Sequence, residues 1–200
     1  MLHADSRFSD AVASKVAELE RKTDAEVVVV AAERSGNYRD VAQAIASLAA
    51  LLALAVMAAL PWHVHPVFVV VDLALLWVVV SWAMGSHRLL AKLVSAARRR
   101  EQVRISAAAA FHQEAVHATP RRTGLLVYVS AWEHHVELIP DVGLEARIPR
   151  GRWIAATDAL TTDSLAAFLT GLDAVGALLG EFVPPTGQRR VALDDAPRIR

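Results

Sequence analysis

No lysine, arginine, aspartate or glutamate occurs from Val41 through Val71; Asp72 interrupts once, and the next charge is Arg88. A bilayer core takes about 20 apolar residues per helix. The stretch is therefore too long for one span and divides into two, at about residues 41–60 and 67–84. Pro61-Trp62-His63-Val64-His65-Pro66 separates them as a turn. Trp77 and Trp82 fall toward the far end of the second span, where aromatic anchors meet a headgroup layer. The pattern predicts a transmembrane helical hairpin over residues 41–84; the competing reading is a buried hairpin in a soluble helical bundle.

The flanking charges orient it. Arg88, Lys92, Arg98, Arg99, Arg100 and Arg104 follow the second span against Glu101 alone, and Arg34 and Arg39 precede the first. The intervening turn carries no fixed charge. Positive charge stays on the cytoplasmic side, so both termini are expected in the cytoplasm, with the tip outside. The polar N-terminus and the late apolar run do not read as a signal peptide. A hairpin returns the chain to the side it left, so residues 1–40 and 96–183 can build one domain together.

That domain reads as α/β. Phe8, Val12, Val16 and Leu19, with Ala11 beside them, recur at helical spacing, and Asp5 or Ser6 is placed to cap the start. Thr23-Asp24 ends the helix. Four consecutive valines, Val27–Val30, then predict a strand buried on both faces. Ala96 to about Ala118 is expected to be helical, ended by Thr119-Pro120. Gly124–Ser130 is a second buried strand, Ala131–His134 a turn, and His135–Ile139 a third strand. Leu144–Ile148 reads as a short edge piece. Leu165, Phe168, Leu169, Leu172, Val175 and Leu179 mark an amphipathic helix. Residues 184–200 read as a loose, flexible polar tail.

Composition narrows the function classes. The chain has 21 basic and 21 acidic residues, which argues against nucleic acid as a partner. It has no cysteine, which excludes disulfides, thiolate metal sites and cysteine nucleophiles. No phosphate loop, nucleophile elbow or dinucleotide glycine pattern occurs. His112 and His117 are five apart, off a shared helix face. His134 and His135 are adjacent, so on a strand they point to opposite faces.

Several local patterns resemble one family. Thr23-Asp24-Ala25-Glu26 precedes the valine strand, and Arg122-Thr123-Gly124 leads into Leu-Leu-Val-Tyr-Val. Glu133 stands before the third strand, Asp141-Val142-Gly143 after it, and Trp153 beyond. Together they resemble the TPM domain, and in particular bacterial TPM-domain membrane proteins with a helix hairpin inserted between strands one and two. The resemblance runs from about Phe8 to Phe182. It implies a helix–sheet–helix sandwich, here interrupted by the hairpin, with a site at the strand ends. Plant relatives are acid phosphatases, some with calcium, whereas bacterial ones are linked to envelope or membrane-protein maintenance. This chain departs in having Asp24-Ala25 for the usual Ser-Gly and few acidic residues after the third strand.

The candidate site is accordingly Glu26, Asp141 and Glu145 at one sheet end, the latter two as calcium ligands. Calcium takes six to eight oxygens, more than these carboxylates supply, and no cofactor is otherwise expected. Asp72 is the polar residue of the membrane segment, where an ionisable group is a functional suspect; another membrane protein or a second copy would give it a partner. Arg98, Arg99 and Arg100 are placed to face anionic lipid or to fix topology. The expected function is a membrane-anchored, non-enzymatic interaction module; the alternative is a calcium-assisted, acid-phosphatase-like hydrolase using the strand-end carboxylates.

Overall fold

The computed structural model describes residues 6–60, 65–84, 93–119, 121–186 and 196–199. They form a mixed α/β domain and a separate helical unit of residues 37–99. The Pro61–Val64 turn, the Asp5 cap, Arg88 and Lys92, and Pro120 lie outside the described residues.

Helix α1 (Ser6–Glu20) leads into β1 (Glu26–Ala32), and after the helical unit the chain continues through α4 (Ala96–Gln113) into β2 (Gly124–Ser130) and β3 (His135–Pro140). Short α5 (Val142–Glu145), α6 (Arg150–Asp158) and α7 (Leu165–Phe182) precede β4 (Arg198–Ile199). The sheet runs β3-β2-β1-β4. β1 and β2 are parallel from Glu26↔Gly124 to Ala32↔Ser130, and β3 returns antiparallel from Ser130↔His135 to Leu125↔Pro140.

The valine run is explained by two cores. Alternate strand residues point to opposite faces. Val27, Val29, Leu125 and Val127 meet Phe8, Val12 and Val16 of α1 and Phe168, Leu172 and Val175 of α7. Val28, Val30, Leu126 and Tyr128 meet Val103, Ala107 and Phe111 of α4 with Val116. A strand covered on both sides has no polar face to alternate with, and all seven residues of β1 and of β2 are buried.

Three expectations change. Leu144–Ile148 is not an edge strand: the Asp141 side chain accepts from Val142 N at 2.8 Å and starts α5 instead. The tail is not wholly loose, because Arg198 and Ile199 pair in parallel with Val30 and Ala31. Thr186 N is also held by the Asp24 carboxylate at 3.1 Å. Helix α4 stops at Gln113 because Ala115 turns left-handed, at φ 52°, into a single 3-10 turn, Val116–Ala118. That reversal brings the rings of His112 and His117 to 5.3 Å, which regular helical spacing would not do.

The second unit holds α2 (Arg39–Ala59) and α3 (Pro66–Met84), which pack on one another. Trp77 Nε1 donates to Ser47 Oγ at 3.2 Å across the pair. Ala42 and Ala46 are the buried residues of α2, and none of α3 is buried. Asp72 is exposed on α3. Arg98 pairs with Asp40 and lies over the Tyr38 ring at 5.9 Å.

Candidate functional site

The register sets the predicted carboxylates at one end of the sheet. Glu26 opens β1 opposite Gly124, and Asp141 follows β3, its N–H donating to Gly124 O at 2.8 Å. Glu26 is buried, whereas Glu145 is exposed on α5. Asp141 is committed to structure. Its Oδ2 accepts from Arg122 Nε at 2.7 Å, and its Oδ1 from the Arg122 guanidinium at 2.9 Å and from Val142 N. Among the described residues no three His, Asp or Glu side chains gather as a group able to hold a metal ion. With Asp141 already spent on three donors, these residues do not fit calcium, which needs six to eight free oxygens.

Burial pushes the Asp141 carboxyl up, but the hydrogen bonds from Arg122 and Val142, with the charges of Arg122 and His117, outweigh it and hold the group below the usual carboxylate range. A depressed folded value stabilises the fold above the unfolded pKa, and that contribution is lost as pH falls through the folded value. Asp141→Asn keeps an N-cap acceptor but loses the charge-assisted pair with Arg122, and is therefore expected to lower stability at pH 7 by about 1–2 kcal/mol. The gap to wild type should narrow below about pH 4, near the unfolded aspartate value. Thermal melts of both proteins across pH 3–7 check this, and an unchanged gap across that range would rule it out.

The opposite end, at the carboxyl ends of β1 and β2, has the richer polar geometry. Such ends are where open α/β sheets bind ligands. Glu133, in the β2–β3 turn, is buried and accepts from Ser35 N at 3.1 Å and Gly36 N at 2.8 Å. Its carboxylate also takes the Ser130 hydroxyl. Ser35 Oγ donates to Ser130 Oγ at 2.7 Å, and Ser106 Oγ donates to Ser35 O at 3.0 Å. Two successive backbone N–H groups make an anion-holding nest, and here the protein's own carboxylate fills it. The clamp ties the exit of β1 to the β2–β3 turn.

Beside that turn a cleft of about 370 Å³ opens, lined by Arg100, His134, His135, Thr157, Asp158 and Thr162, among others. His134 and His135 share it because His134 is left-handed, at φ 51°, so strand alternation starts only after it. His135 Nε2 lies 3.1 Å from Glu137 Oε2. Arg100, read from sequence as lipid-facing, lines this polar cleft, and Arg98 is taken up by Asp40. The sequence signals for this end were the Ser35-Gly36 loop after the valine strand and the Ser130–Glu133 spacing, neither of which names its partner.

No protein-family description matches the sequence, and no curated protein does. A solved structure similar in fold is the NMR structure of BA42 protein from the psychrophilic bacterium Bizionia argentinensis. It aligns over 98% of this chain and 94% of that one, at a TM-score of 0.58 and 12% identity. At that identity the likeness concerns the fold alone.

Proposed function

We propose that the protein is a membrane-anchored interaction module of the TPM type, in which α2 and α3 cross a bacterial inner membrane and hold the α/β domain at its cytoplasmic face. One observation carries the reading. Helices α2 and α3 have mean hydropathies of 2.2 and 2.4, yet only 11% and 0% of those residues are buried within the protein. A helix apolar on every side and left uncovered is suited to lipid. Helix α7 is also long and apolar, at 1.5, but turns Phe168, Leu172, Val175 and Leu179 into the core of the α/β domain. Its apolarity is used there.

The arginines after α3 favour a cytoplasmic domain. A carboxylate at Asp72 favours a polar neighbour within the membrane, another membrane protein or a second copy. The TPM resemblance extends the reading to membrane-protein or envelope maintenance without hydrolysis.

Carbonate extraction and paired reporter fusions test the anchor. The protein is expected to stay in the membrane pellet, a fusion at Pro61 to read outside, and a C-terminal fusion to read cytoplasmic. Leu75→Arg, near the centre of α3, is expected to oppose insertion by about 3 kcal/mol and shift protein out of the pellet. Release of the wild type by carbonate would overturn the reading, as would cytoplasmic signals from both fusions.

A further inference from the structure

We propose that the cleft beside the β2–β3 turn binds a small phosphorylated amine, an ammonium and a phosphate joined by a short linker. The argument rests on charges of opposite sign that share one cleft without using each other. Arg100, His134 and His135 line it together with Asp158 and Asp163. Among the described residues the side chains of Arg100, His134 and Asp158 make no hydrogen bond or ion pair. Arg122 with Asp141 and Arg152 with Glu181 show the contrasting arrangement, opposite charges closed on one another.

The cleft is large enough to admit a small ligand. About 370 Å³ falls within the range of small-molecule sites, about 300–1,000 Å³. An arginine fork matches a phosphate through two parallel N–H donors, and the His134 imidazole adds a group from the β2–β3 turn, His135 being engaged by Glu137. Asp158 supplies the acceptor an ammonium needs. Thr162, buried at 4% exposure, and Thr157 contribute hydroxyl-bearing wall. The cleft sits just past the carboxyl end of β2, where the Glu133 clamp fixes the turn that carries His134 and leads into His135.

This chemistry has two sources, a free phosphorylated amine or the headgroup of an aminophospholipid. The proposal stands apart from the membrane reading, since either source reaches the cleft of an anchored or an unanchored domain. The test titrates O-phosphoethanolamine into the full chain in nanodiscs of phosphatidylglycerol. Saturable binding is expected, with phosphate alone and ethanolamine alone each weaker by about tenfold or more. Arg100→Gln and Asp158→Asn, both at exposed positions, are each expected to weaken it by a similar factor, with the fold checked by circular dichroism. Phosphate binding as tightly as the zwitterion would overturn the proposal, and so would two folded variants that bind like wild type. With those effects in hand, competition from added phosphatidylethanolamine assigns the lipid headgroup, and its absence assigns the soluble amine.

Discussion

Gly124→Ala is expected to destabilise the α/β domain by about 3 kcal/mol, near the upper end of overpacking costs. A Cβ there would stand 2.2 Å from Val116 O and 2.7 Å from Val116 Cγ1. The first contact is a backbone carbonyl in the turn that ends α4, so no side-chain rotation relieves it. Moving Gly124 away disturbs two further links: its pairing with Glu26 and the bond from Asp141 N to its carbonyl. For a chain of this size the loss corresponds to a melting temperature lower by about 6–12 °C. Two companions calibrate the result. Gly176→Ala meets Leu19 Cδ2 at 2.1 Å, a side-chain end that can shift, and is expected to cost less. Gly151→Ala in α6 meets nothing within 4 Å and is expected to be neutral or to gain up to about 1 kcal/mol in helix propensity. Melts of the three variants by circular dichroism check the order. A Gly124→Ala protein as stable as Gly151→Ala would show that the α4–β2 junction yields freely.

The same junction shows what a sequence read by pattern can and cannot supply. Phe8, Val12, Val16 and Leu19 disclosed α1 because burial repeats with the helix period, and all four are core. The valine run disclosed β1 because a doubly covered strand leaves no polar positions, and Leu165–Leu179 disclosed α7 by its stripe. These signals are local: the physics that makes them acts within one element. Where the deciding partner lies far along the chain, pattern fails. Leu144–Ile148 looks extended until Asp141 is known to cap a helix. His112 and His117 look separated until Ala115 is known to reverse the chain. Helix α6 carries no strong apolar stripe, burying only Trp153 and Ala156, so periodicity does not disclose it.

The site shows the same division more sharply. Glu26, Asp141 and Glu145 are the carboxylates expected at one sheet end; the β1–β2 pairing and the antiparallel return of β3 bring Glu26 and Asp141 there, while Glu145 is exposed on α5. What spacing could not disclose is that Arg122, 19 residues upstream, occupies both oxygens of Asp141. Residue type suggested a ligand; the neighbour made it a structural pair. At the other end, nothing local marks Glu133 as a clasp, since its partners Ser35 and Gly36 lie 98 and 97 residues away in sequence. Only the fold joins them.

Glu133→Ala follows from that closure, and its expected cost is about 3–5 kcal/mol. The carboxylate is 5% exposed and receives Ser35 N, Gly36 N and the Ser130 hydroxyl, and Ser130 is fully buried. Truncation leaves buried donors without an acceptor, at about 1–3 kcal/mol for each that water cannot reach. Ser130 has some recourse, since Ser35 Oγ lies 2.7 Å away, so the cost should concentrate on the two backbone amides. Glu133→Gln separates charge from shape: its carbonyl oxygen still accepts, while its amide nitrogen faces donors, and about half the loss is expected. Hydrogen exchange supplies the readout that a general loss of stability would not. Protection at Ser35 and Gly36 should fall in Glu133→Ala by more than at Val28 or Leu126, which are held by the β1–β2 ladder. If all four amides lose protection equally, Glu133 is only one more contributor to global stability. If the loss is confined to Ser35 and Gly36, the carboxylate is the clasp that fixes where the chain leaves the sheet.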